Sequence, residues 1–131
     1  TGNYDLVIAS KYNNDSIVKN RKPLRIFISK TITIVCKIIF DSKIKDYSNT
    51  FRFYTKDLVT SFCKREVLFK SPIGHLHNLL YIVKNKYRIT EISTEYIETN
   101  TESTVKMKYM LRYLLEFLYC IFINKLFFKK K

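Results

Sequence analysis

The stretch Leu24–Phe40, LRIFISKTITIVCKIIF, alternates. Its even positions are Leu24, Ile26, Ile28, Lys30, Ile32, Ile34, Cys36, Ile38 and Phe40, and all but Lys30 are apolar. The odd positions mix Arg25, Ser29, Thr31, Thr33 and Lys37 with Phe27, Val35 and Ile39. A period of two predicts a β-strand with one buried face over 24–40. That span exceeds the usual strand of about 5–6 residues. With no Gly, Pro or Asn near Ser29–Thr31 to turn the chain, one long or kinked strand is expected rather than two.

Shorter patterns surround it. YDLVIASKY over 4–12 is apolar and β-branched and predicts a strand. NNDS and KNRKP flank a brief SIV and predict a turn-rich basic loop, and 41–49 predicts another loop. TFRFYT alternates again, which predicts a strand over 51–55. Leu58, Val59, Phe62, Cys63 and Val67 then fall on one helical face, so 57–68 is expected as a helix with Thr55 or Asp57 as its cap.

A second helix is expected over 72–85. Ser71 stands at the cap and Pro72 at the first helical position. Ile73, Leu76, Leu79, Leu80 and Val83 form its stripe, and Lys84 and Lys86 suit its C-terminal end. The segment from Tyr87 is ambiguous: Thr and Ile favour a strand over 87–93, while Ile89, Ile92 and Tyr96 also suit a helix. The chain closes on a very apolar run, predicted as a helix over 104–127 that starts from Thr104. Leu111, Leu114, Leu115, Leu118 and Phe122 can point inward together, and Arg112 and Glu116 can pair at i,i+4. The fold expected is therefore α+β, with a small antiparallel or mixed sheet, two or three covering helices, and a long apolar C-terminal helix. Residues 1–131 read as one domain, with a basic tail at 128–131.

Charge changes the picture most. The 131 residues carry a formal net charge of +13, with 24 Lys and Arg against 11 Asp and Glu. The excess lies toward both ends, and the acidic part is confined to Glu91, Glu95, Glu98 and Glu102, expected as a solvated acidic face. Such a surplus attracts polyanions. Frequent Ile, Lys, Asn, Tyr and Phe with only 2 Gly suggest an A/T-rich genome, which supplies some of the lysine by itself. Basic side chains assigned to RNA on this reading are Lys19, Arg21, Lys22, Arg25, Arg52, Lys56, Lys64, Arg65, Lys129, Lys130 and Lys131. Phe51 and Phe53 alternate as core residues do.

Catalytic chemistry is poorly represented. His75 and His77 would lie about 200° apart on a helix, which suits no shared metal. Cys36, Cys63 and Cys120 are dispersed, odd in number and set among apolar residues, which predicts buried thiols in a reducing intracellular compartment. No phosphate-cradling or zinc-protease motif occurs, and no secretory leader is visible at the start of the sequence. No catalytic residue, metal or cofactor is assigned.

The expectation is a non-enzymatic RNA-associated component of a large ribonucleoprotein assembly, of ribosomal or organellar-ribosomal type. Leu111, Leu115, Leu118 and Phe122 would bind a neighbouring subunit. The alternative is a membrane-associated or tail-anchored subunit held by helix 105–128. A spanning segment needs roughly 20 apolar residues, and Arg112 and Glu116 would lie within it.

Overall fold

The computed structural model describes residues 3–99 and 107–128. Thr104 and Lys129–Lys131, which carry the expected cap and the basic tail, lie outside the described residues. Among the described residues the architecture is α+β, with small mixed sheets and four α-helices. Strand β1 (Leu6–Ser10) is the centre of a three-stranded sheet. Strand β3 (Arg52–Tyr54) pairs with it antiparallel and β4 (Ile89–Ser93) pairs with it parallel.

The same two chain segments run together a second time. Strand β2 (Ile17–Lys19) pairs in parallel with β5 (Glu95–Ile97). Ser10 stands opposite Ser93, and Ile17 stands opposite Glu95. Residues 11–16 therefore loop out against the single residue Thr94. Ser16 closes that loop: its hydroxyl donates to the Ser10 carbonyl at 2.6 Å and accepts from the Thr94 N–H at 3.2 Å. Neither β2 nor β5 was expected, because three-residue strands leave too little periodicity to read.

The largest departure lies at 23–40. The long alternating stretch is not a strand but the helix α1 (Pro23–Phe40), 18 residues long. Pro23 sits at its start, where a fixed φ and a missing N–H are harmless. The residues it buries are Ser29, Thr33, Cys36 and Phe40, spaced four, three and four apart as one helical face requires. The alternation was incomplete: Phe27, Val35 and Ile39 placed apolar side chains on the supposed polar face. Both hydrogen-bonding edges of β1 are also already taken, by β3 and β4.

Helix α2 (Lys56–Cys63) is shorter than expected and turns only Leu58 fully inward. Helix α3 (Ile73–Lys84) starts one residue later than predicted. Pro72 rather than Ser71 stands at the cap position, and the Ser71 hydroxyl one residue earlier accepts the Ile73 N–H at 3.2 Å. Gly74 is required there, since a Cβ would lie 2.7 Å from the Phe69 carbonyl oxygen. A 3-10 turn (Met107–Tyr109) leads into α4 (Met110–Phe128). Among the described residues no helix is long and apolar enough to cross a membrane.

One core joins these elements. Leu6 and Ile8 of β1 meet Cys36 and Phe40 of α1, Leu76, Leu79, Leu80 and Ile82 of α3, and Phe117, Cys120 and Ile121 of α4. Tyr47 and Leu58 fill the remaining corner.

Candidate functional site

Two features stand out: a polar network at the carboxyl ends of β1 and β4, and an apolar surface on the helices. The network centres on Asp46, which is fully buried. One carboxylate oxygen accepts the Lys11 N–H at 2.9 Å and lies 3.2 Å from the Lys11 ammonium. The other accepts the Ser48 hydroxyl and the Ser48 and Asn49 N–H groups, at 2.8, 3.1 and 3.0 Å. Glu91 reaches across from β4 and accepts the Lys45 and Asp46 N–H groups at 2.7 and 3.0 Å. The Lys11 and Glu91 contacts tie the 44–49 loop to the sheet segments, and the Ser48 and Asn49 contacts close the loop on itself.

Lys11 is held in the same network. Burial pushes its ammonium below the usual lysine range, and Asp46 opposes that shift. The lysine lies 5.4 Å from the Tyr96 ring centroid, with the Arg21 guanidinium 5.7 Å from the same ring. Both charged side chains of the Lys11–Asp46 pair are closed to solvent, at 4% and 0% exposure. A buried pair of this kind fixes conformation and offers no group to a ligand.

The cations expected on RNA are dispersed and largely engaged. Arg25 donates to Glu98, Arg21 lies 4.0 Å from the same carboxylate, and Lys19 pairs with Glu95 at 2.8 Å. Arg52 is buried and donates to the His75 and Tyr47 carbonyls at 2.8 and 3.1 Å. Arg65 stacks 3.8 Å from the Tyr81 ring centroid and reaches His77 Nε2 at 3.2 Å. Lys22, Lys56 and Lys64 are exposed, Lys22 at the start of α1 and the other two at opposite ends of α2. Of the expected solvated acidic face, Glu95 is exposed, Glu91 and Glu98 are half-buried and engaged, and Glu102 lies outside the described residues. Glu95 and Glu98 are counter-charges of Lys19 and Arg25, brought beside them by the parallel pairing of β5 with β2, whereas Glu91 binds backbone N–H groups of the 44–49 loop.

The histidines point apart, as helical geometry requires: His75 is exposed and His77 is buried. His77 Nδ1 lies 2.9 Å from Asn124 Nδ2 and 4.0 Å from Cys120 Sγ, so it joins α3 to α4. Burial, with Arg65 adding to it, holds its pKa down at about 4. Burial pushes the Cys36 and Cys120 thiols up to about 12, which leaves them unreactive. Cys63 is exposed, against expectation. Among the described residues no group of three or more His, Cys, Asp or Glu is placed to hold a metal.

Helix α4 is inverted relative to the sequence reading. Its inner face is Phe117, Cys120, Ile121 and Asn124. Leu111, Leu115, Leu118 and Phe122, expected to point inward and also to bind a neighbouring subunit, are 70%, 59%, 55% and 59% exposed. Leu114, Tyr119 and Leu126 are exposed beside them. At 100° per residue these seven side chains fill an outward sector about 140° wide. Glu116 lies beside that sector, where it accepts from Arg112 at 2.8 Å and from the Ser71 hydroxyl, and the exposed Lys125 falls within it. Phe51 and Phe53 are exposed too, stacked edge to face with centroids 5.2 Å apart.

The chain matches no family model, no curated protein and no solved structure.

Proposed function

We propose that this chain is a membrane-associated subunit that rests on a bilayer surface through the outward face of α4. The observation that carries this reading is the width of that face. Seven large apolar side chains stand in water on one helical sector, with the exposed Lys125 among them. A patch of this kind marks a protein or membrane contact. A helix whose hydrophobic sector is broad but bounded lies in the interfacial plane. Spanning is disfavoured, because Arg112, Glu116, Asn124 and Lys125 interrupt the segment. The positive charge of the chain favours an anionic surface.

The RNA-associated reading competes for the same charge. It draws less support, since Arg21, Arg25, Arg52 and Arg65 are held by internal partners. Co-sedimentation with vesicles of phosphatidylcholine, alone or mixed with phosphatidylglycerol, tests the proposal. The intact chain should sediment with the vesicles. Substituting Leu115→Glu and Phe122→Glu together should weaken that binding by more than about ten-fold. Since both side chains are exposed, the unfolding midpoint should not change. A protein that ignores both vesicles but binds generic RNA with a steep salt dependence would establish the ribonucleoprotein reading instead.

A further inference from the structure

Helix α1 carries a second outward apolar stripe. Leu24, Phe27, Ile34 and Ile38 are 50%, 68%, 56% and 78% exposed, and Thr31 lies among them. Their spacing of three, four, three and four residues sets them on one sector about 80° wide. We infer that α1 is a second lipid contact, with Lys30 and Lys37 selecting anionic headgroups. This rests on the membrane-surface reading of α4 and deepens it.

Four observations choose the occupant. Thr31, the polar member of the stripe, turns its hydroxyl back to the Phe27 carbonyl at 2.9 Å. Its polar atom is thereby satisfied within the helix, and the stripe presents methyl and ring carbon outward. Lys30 and Lys37, seven residues apart, run along one margin of the stripe. Lys30 is exposed, with its ammonium 6.0 Å from the Tyr12 ring centroid, and Lys37 is half-buried; long stems of this kind can lie on apolar surface and extend their charge to headgroups. No Asp or Glu occurs anywhere in α1. Finally, α1 and α4 pack against each other within one core, so both stripes belong to a single body. A second copy of the chain is a poor occupant. Antiparallel stripes would set the Lys30 and Lys37 rows together, on chains that each carry +13.

The chain has no tryptophan, so a single introduced indole reports its own surroundings. Ile38→Trp probes α1 and Leu118→Trp probes α4, each titrated with vesicles of phosphatidylcholine with and without phosphatidylglycerol. Both indoles should shift to the blue on the anionic vesicles and be quenched by brominated acyl chains. Reversing charge with Lys30→Glu and Lys37→Glu should weaken binding to the anionic vesicles by more than roughly ten-fold. An Ile38→Trp indole that stays in water while the Leu118→Trp indole shifts would overturn the inference and leave the α4 reading intact. Silence from both would overturn both. Equal binding to the two vesicle types, unaffected by the lysine reversals, would remove the anionic selection.

Discussion

Helices α1 and α3 have similar apolar content and opposite fates. Helix α3 buries Ile73, Leu76, His77, Leu79, Leu80 and Ile82, and the core closes around most of its circumference. Helix α1 buries two hydroxyl residues, Ser29 and Thr33, and leaves Leu24, Phe27, Ile34 and Ile38 in solvent. The difference lies in where each helix sits. Helix α3 lies between the sheet and α4, so nearly every side chain meets protein. Helix α1 is at the margin, over the polar loop 44–49. There the Thr33 hydroxyl accepts the Tyr47 N–H at 3.2 Å, and the Tyr12 phenol donates to the Ser29 hydroxyl at 2.7 Å. Hydrophobicity dictates that a helix will be buried somewhere. It does not dictate that its own domain does the burying.

The sharpest break in that comparison is a pair of truncations. Leu79→Ala, in a fully buried site, should cost about 2–5 kcal/mol in denaturant unfolding. Ile38→Ala, on the exposed stripe, should change stability by no more than about 0.5 kcal/mol. Equal losses would mean that the α1 stripe is covered within the monomer.

Acid should loosen the inner face of α3 through His77. Its folded pKa of about 4 lies below the ordinary 6.5, so the unfolded chain binds more protons between those values. Stability is complete above pH 6.5 and declines as the pH falls toward 4, by up to about 3 kcal/mol from this one group. Denaturant midpoints measured across that range, with and without His77→Gln, give its share as the difference in slope. A slope unchanged by the substitution would refute the assignment.

The smallest effect concerns the polar inner side of α1. Thr33→Val keeps the shape but leaves the buried Tyr47 N–H without its acceptor, which should cost about 1–3 kcal/mol. Thr31→Val, on the outward stripe, should be near neutral by the same measurement. If the two behave alike, the Thr33 contact contributes nothing.

Much of the fold was legible in the sequence. The strand at 6–10 and the helices at 73–84 and 110–128 announce themselves by period, though α4 is not the long apolar helix expected and its expected start at Thr104 lies outside the described residues. The stretch at 23–40 misled because β-branched Ile, Thr and Val favour extended backbone, whereas the burial of Ser29, Thr33, Cys36 and Phe40 at helical spacing is a tertiary fact. Strands β2 and β5 were invisible for a different reason. A parallel pair is set by contacts nearly eighty residues apart, and nothing local encodes its register.

The candidate surface divides in the same way. That Leu111, Leu115, Leu118 and Phe122 share one helical face follows from spacing alone, as does the net charge that draws anions. Which side of that face is inside depended on a few interlocking contacts. Phe117 and Ile121 are buried in the core, and Asn124 meets His77. The orientation of α4 is settled by which of its two apolar faces packs against α3, because helical periodicity defines faces and only a neighbouring element assigns one to the interior.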